Sequence, residues 1–200
     1  MVSASQNLRL IPGRGLQISP WKNGAGNTRE ILIYPEHSAL TDFDWRLSIA
    51  TVEQEGEFSV FPDIDRHIML LDGECMVLHG ETQEQVLLPY QAYAFRGEQA
   101  IRASLPQGST TDVNLMLRRG RAQGELQAWT APHSGLLEAG HTLLHSYAGT
   151  HEVILGHSTH HLEQGDTLWL QQAQAHQHIL RVQPYSAQNC LIYAHIQTLI

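Results

Sequence analysis

The chain has 200 residues, 42% of them apolar and only 16% charged, and 20 acidic against 12 basic side chains leave a formal charge of −8. That composition is too apolar for a disordered chain and is sufficient for one large domain or two small ones. An acidic chain gains no counterion-release energy from a phosphate backbone and is repelled by an anionic bilayer, so neither direct nucleic-acid binding nor membrane association is expected.

The opening MVSASQNLRL lacks the basic start and apolar centre of a secretory signal. Apolar runs further on stop at about four residues, as at Ile68 to Leu71, where a membrane helix needs roughly 20. A cytoplasmic location is therefore expected. The two cysteines, Cys75 and Cys190, lie in no Cys-x-x-Cys pair and are expected as reduced thiols.

In chain order, short strand-like runs dominate. ILIY (31–34) is followed by FDWRLSIA (43–50), in which Phe43, Trp45, Leu47 and Ile49 alternate with Asp44, Arg46, Ser48 and Ala50. That period of two is a strand with one apolar and one polar face. Further strands are expected at 67–71, 75–79, 85–88, 92–95, 112–117, 152–156, 167–170, 178–180 and 190–196, separated by turns such as Asp72-Gly73, Pro89, Gly149 and Gly165. A short helix is expected only around Ser134 to Glu138. Many short strands at such spacing make an all-β sandwich or barrel.

A shift of 76 residues carries Gly73 onto Gly149, Val77 onto Val153 and Gly80 onto Gly156, and a shift of 75 carries PYQAYAF (89–95) onto QGDTLWL (164–170). A Gly turn, a strand, a turn and a second strand recur in both copies, which points to an internal duplication. The phrase LEQGDTLWL (162–170) also resembles a cupin barrel turn. The polar, Gly-rich RRGRAQGE (118–125) marks the division into residues 1–120 and 121–200.

Metal chemistry in such a barrel needs several imidazole or carboxylate ligands converging on one ion at about 2.0–2.2 Å. The first half offers only His37, His67 and His79, none in a His-x-His. The second half holds His176-Gln177-His178, the pair His160-His161, and His151 and His157 six residues apart. These do not compose a ligand set, so no metal and no other cofactor is expected; the alternative fate of the histidines is exposed polar positions. No Gly-x-Ser-x-Gly elbow is present and the serines and histidines are scattered, so no catalytic residue is assigned. The glycines at 13–15 and 24–26 neither follow a strand nor open a helix, which rules out a phosphate loop.

WKNGAGNTREI (21–31) is the informative segment. Lys22 is the single lysine beside eleven arginines, and flanking glycines would let the backbone approach a ligand closely. Asn23, Thr28, Arg29 and Glu30 add polar groups; the alternative is an ordinary turn before a strand.

Together WKNGAGNTREI, FDWRLSIATV (43–52), GEFSVFPDIDRHIMLLDGE (56–74) and DVNLM (112–116) resemble the HutD/Ves family, four blocks in order over the first 120 residues. The resemblance implies two cupin-type β-barrels in one chain, a bicupin, and an association with histidine utilisation through sensing of an N-formylglutamate-like acid, or with stress response. It brings no enzymatic activity. The family usually carries Gly where this chain has Ala25 and Asp63.

The blocks nominate a pocket. Arg46 and Ser48 share a strand face, as do Asp112 and Asn114; Lys22, Arg46 and Arg66 would supply cations, and Asn23, Thr28, Ser48 and Asn114 neutral hydrogen bonds. With Arg29 and Glu30 this set suits a small dicarboxylate or acylated amino acid. The alternative is that Arg46, Glu30, Arg66 and Asp112 are structural ion pairs. At the level of function, a small-acid binder leads; a metal-dependent cupin enzyme using the C-terminal histidines, and a structural module forming a homodimer, are the alternatives.

Overall fold

The computed structural model describes residues 6–173 and 176–199, without the side chains of residues 6 and 176–178. The strands are β1 (Gln6–Ile11), β2 (Ile18–Pro20), β3 (Gly26–Tyr34), β4 (Trp45–Val52), β5 (Gly56–Glu57), β6 (Ile64–Asp72), β7 (Met76–His79), β8 (Glu84–Leu87), β9 (Ala92–Arg96), β10 (Arg102–Ser104) and β11 (Thr110–Arg118). They continue as β12 (Ala122–Trp129), β13 (His133–Leu137), β14 (Gly140–Ala148), β15 (His151–Leu155), β16 (Ser158–Leu162), β17 (Thr167–Gln172), β18 (His176–Pro184) and β19 (Cys190–Thr198). A single 3₁₀ turn at Gly13–Gly15 is the one helical element among the described residues, and no described helix is long and apolar enough to cross a membrane. The protein is all-β, as its alternating runs require.

The short helix expected around Ser134 to Glu138 is instead β13, paired antiparallel to β18 with Leu136 opposite Ile179. Five residues cannot repay helix nucleation on their own, and the neighbouring strand supplies the hydrogen bonds.

The chain divides into two compact units. In the first, Leu16–Gln123, a six-stranded sheet runs β2-β3-β4-β11-β6-β9 and a four-stranded sheet runs β5-β10-β7-β8. In the second, Gly124–Gln197 joined by the described residues up to Gly15, the orders are β1-β17-β14-β19-β12 and β13-β18-β15-β16. The central runs β9-β6-β11-β4 and β17-β14-β19-β12 match position for position, so the duplication in the sequence recurs as topology. Gly73 and Gly149, equivalent under the shift of 76, both sit at positive φ, 96° and 75°, a backbone state that glycine adopts without steric cost. β1, the first strand of the chain, pairs with β17 in the later unit.

Each unit packs an apolar core of its own. In the first, Val52, Ile68, Leu70, Met76, Leu78 and Phe95 cluster; in the second, Leu144, Val153, Leu162, Leu168, Leu180 and Leu191 do so. Neither unit forms one closed sheet; each is a pair of facing sheets. Cys75 and Cys190 are free thiols, and burial pushes the Cys190 thiol up to about 12.

Candidate functional site

The polar residues of β4 face inward. Directly paired residues share a sheet face, and β4, β11 and β6 are in register: Arg46 with Met116 and Arg66, Ser48 with Asn114 and Ile68, Ala50 with Asp112 and Leu70. Ile68 and Leu70 belong to the unit's apolar core, so Arg46, Ser48, Arg66, Asp112 and Asn114 look into the space between the two sheets. β3 adds Glu30 opposite Ser48 and Thr28 opposite Ala50. The other face of β4 is apolar and buried as well, with Trp45 and Leu47 fully enclosed.

This inner cluster has two halves. In one, Arg46 Nε donates to Glu30 Oε2 at 2.8 Å and a terminal nitrogen donates to Ser48 Oγ at 3.2 Å. Arg46 is 12% exposed and Glu30 42%, so the pair runs from core to rim. In the other half, Arg66 is 6% exposed. Its guanidinium lies over Phe58, Phe61 and Phe95 at 5.3, 5.7 and 4.8 Å from the ring centroids, a cation–π cage around a largely buried charge. One terminal nitrogen reaches the Ser59 carbonyl at 3.4 Å, while Nε has no hydrogen-bond partner. Asn114 Oδ1, also buried, lacks one too.

Burial dominates the electrostatics. It pulls Arg66 down to about 10, partly opposed by the charge of Asp112 and reinforced by that of Arg46. It lifts Asp112 to about 7, against the pull of Arg66. A carboxyl here is therefore poised to change protonation near neutrality.

Of the remaining nominated residues, Lys22, Asn23 and Arg29 lie elsewhere. Lys22 and Asn23 are exposed in the turn between β2 and β3, where Asn23 Oδ1 accepts the Ala25 N–H at 3.1 Å. Lys22 makes no ion pair among the described residues. Arg29 pairs with Ile49 and so occupies the face opposite Arg46. Thr28 Oγ1 accepts the Trp21 indole N–H at 2.7 Å, which ties the turn to the core. The phenylalanine cage is the part that sequence reasoning missed: Phe58 and Phe61 flank Arg66 within one block, but Phe95 arrives from β9, opposite Arg66 in register.

In the second unit, His141, His145, His151 and His195 are buried, which corrects the expectation of exposed positions for these four, while His157 and His161 are exposed. One nitrogen of each buried histidine is taken up by a neighbour: His141 Nδ1 accepts the Trp169 indole N–H at 3.2 Å, and the Nδ1 atoms of His145, His151 and His195 lie 2.8, 2.8 and 3.2 Å from the hydroxyls of Thr167, Ser146 and Thr142, while Nε2 of His151 and of His195 has no hydrogen-bond partner. Burial pushes His141 down to about 4, with His195 adding to the effect. Among the described residues no three His, Cys, Asp or Glu side chains gather as a metal site; the side chains of His176 and His178 lie outside the description.

A model of the HutD family matches residues 14–187. The chain belongs to the HutD family. Protein Ves of Cronobacter sakazakii is 42% identical over 114 residues, 56% of this chain and 61% of that protein, so the match spans about three fifths of the curated relative. Among solved structures, HutD from Pseudomonas fluorescens SBW25 has a TM-score of 0.81 at 28% identity, over 96% of this chain and 99% of that one. A conserved protein of unknown function from Pseudomonas aeruginosa PAO1 reaches 0.87 at 28%, with the same coverage. A likeness of fold alone extends beyond the HutD family to cupin-like proteins, for instance the Bacillus subtilis oxalate decarboxylase, TM-score 0.64 at 6% identity over 98% of this chain and 78% of that one.

Proposed function

We propose that the protein binds a small acidic metabolite between the two sheets of its first unit and acts as a sensor in histidine utilisation, without catalysing a reaction on that ligand. On this reading the duplicated sheet pairs are two cupin-type barrels, divided near residue 120, and the chain works in the cytoplasm as a monomer or a homodimer.

The observation that carries the reading is the pair of unsatisfied buried atoms, Arg66 Nε and Asn114 Oδ1, on one sheet face. A buried donor or acceptor left without a partner costs about 1–3 kcal/mol, more when it is charged. A ligand with a carboxylate for the guanidinium and an N–H for the amide oxygen satisfies both at once. An N-acyl amino acid has that pattern, and N-formylglutamate supplies a second carboxylate for the Arg46 side. An overall charge of −8 repels anions, so capture depends on this local pair of cations.

The test is a thermal-shift screen of N-formylglutamate, glutamate, urocanate and histidine. Ligand at about 100 times its Kd stabilises by roughly 2.7 kcal/mol, a melting shift on the order of 5–10 °C for a chain of this size. N-Formylglutamate is expected to give the largest shift, and Asn114→Ala and Arg66→Lys to remove it. A shift that survives in both variants, or the absence of a shift with any of the four, refutes the site.

A further inference from the structure

On the outer face of the same unit, away from the inner cluster, three residues scattered in the sequence meet as a hydrogen-bonded relay. His79 Nδ1 lies 2.7 Å from Glu84 Oε1, and His79 Nε2 lies 2.8 Å from Ser104 Oγ. The strands dictate the meeting. His79 and Glu84 are direct partners across the β7–β8 hairpin. On the other side β10 pairs with β7, Arg102 opposite His79 and Ser104 opposite Val77, which sets Ser104 diagonally beside the imidazole. The intervening residues Leu78 and Ala103 point the other way, into the core.

The chemistry of the relay follows from its end groups. An ionised carboxylate only accepts hydrogen bonds, so the imidazole proton sits on Nδ1 and is donated to Glu84. Nε2 then carries the lone pair, and the Ser104 hydroxyl donates to it. A serine hydroxyl against the basic nitrogen of a histidine whose other nitrogen is fixed by a carboxylate is the arrangement that activates a nucleophile. Ser104 also lines an open cleft of about 360 Å³, walled by Leu105 and Pro106 and rimmed by Glu53 and Glu55. Arg102 is held to Glu55 at 3.1 Å, which leaves the rim without a free cation to attract an acid.

We propose that Ser104, His79 and Glu84 form a hydrolytic site for small uncharged carboxylic esters, with the short acyl group seated against Leu105 and Pro106. Ser104 Oγ bonds to the ester carbonyl carbon as its proton passes to His79 Nε2. The tetrahedral adduct expels the alcohol, which leaves with that proton. Water then attacks the acyl-serine and gives a proton to His79. The carboxylic acid departs and Ser104 recovers its proton, so one ester and one water yield one acid and one alcohol. The proposal is independent of the metabolite site, which lies on the inner face of the other sheet.

The experiment uses the full chain with p-nitrophenyl acetate as substrate and diethyl p-nitrophenyl phosphate as covalent probe, with peptide mass spectrometry to locate the adduct. General-base assistance contributes on the order of 10²–10⁴-fold. Ser104→Ala and His79→Gln are each expected to lower hydrolysis at least about tenfold, and the wild-type phosphoryl adduct is expected on Ser104. Both side chains are on the solvent-facing side of the sheet, so the melting point is expected to hold; the adduct map on the wild-type chain serves whichever variant fails to fold. An adduct on another residue overturns the proposal. So does a Ser104→Ala chain that hydrolyses at the wild-type rate while His79→Gln does not, since the imidazole then acts alone.

Discussion

Replacing Asp112 by Asn isolates the most perturbed carboxyl of the inner cluster. Burial raises this group from 3.8 to about 7, so between those values the folded chain holds a proton that the unfolded chain has released. The folded state binds more protons, and stability therefore falls as pH rises from about 4 to about 7. Each unit of difference amounts to 1.36 kcal/mol, so the group withdraws about 4 kcal/mol over that window, and the loss levels off above pH 7. Asparagine keeps the shape and cannot ionise. Urea unfolding followed by tryptophan fluorescence at intervals from pH 4 to pH 8 is the assay, with the wild-type minus variant difference as the readout, because other titrations cancel in it. A difference that declines by several kcal/mol toward pH 8 is expected. A flat difference refutes the reasoning: Asp112 then ionises as it would in water, and the space between the sheets is wet.

The same charge balance makes anion binding pH-dependent, because a bound carboxylate favours the neutral form of Asp112; the affinity for N-formylglutamate by calorimetry is expected to rise as pH drops from 8 to 6 and to lose that dependence in Asp112→Asn. Arg46→Ala leaves Glu30 near the rim, where water can solvate it, but removes the donor to the buried Ser48 hydroxyl, so a cost of about 1–3 kcal/mol in ligand-free unfolding is expected; a collapse of the fold assigns Arg46 to structure alone. Asp63 holds φ at 61° where the family resemblance implies glycine, and Asp63→Gly is expected to raise stability by about 0.5 kcal/mol, read as a small rise in melting temperature. His141 has the opposite sign to Asp112: burial holds it neutral down to about 4, so its contribution is lost as pH falls below about 6.5, and His141→Asn is expected to flatten the acid limb of the wild-type stability profile.

The strands were legible wherever one face is apolar and the other polar. β4 announces itself by Trp45, Leu47 and Ile49 alternating with Arg46, Ser48 and Ala50, and the same alternation foretold that Arg46 and Ser48 point together. β14 was not legible. GHTLLHSYA mixes histidine, threonine and serine with leucine, yet its residues from His141 to Ser146 are all buried. Its polar and apolar residues do not sort onto opposite faces, so there is no period of two to read, and Thr142 finds its partner, His195, 53 residues on. β1 was hidden for a related reason, since its partner β17 lies more than 150 residues on. The relay of His79, Glu84 and Ser104 shows the same limit at a site: its geometry exists only in the register of β8, β7 and β10, and no local motif encodes register.

The polar inner face of the first unit is costly, and the way its cost is distributed carries the functional argument. Burying polar groups opposite Ile68 and Leu70 is less favourable than filling the space with apolar side chains. If the cluster were only structural, its members would be expected to satisfy one another, as Arg46, Glu30 and Ser48 do. Arg66 and Asn114 do not: a guanidinium is held in place by three phenylalanine rings, which orient the charge yet offer no acceptor for its Nε, and an amide oxygen one row away has no donor. Asp112 is the nearby counter-charge, but burial drives it toward the neutral form, so it does not answer the arginine as a carboxylate in water would. On the proposed reading, an anion would enter from the Glu30 rim, meet Arg46 first and end at Arg66, beside the two unsatisfied atoms. That reading separates the group that steers from the group that holds. That is why Arg66 and Asn114 should govern how long a ligand stays, and Arg46 how readily it arrives.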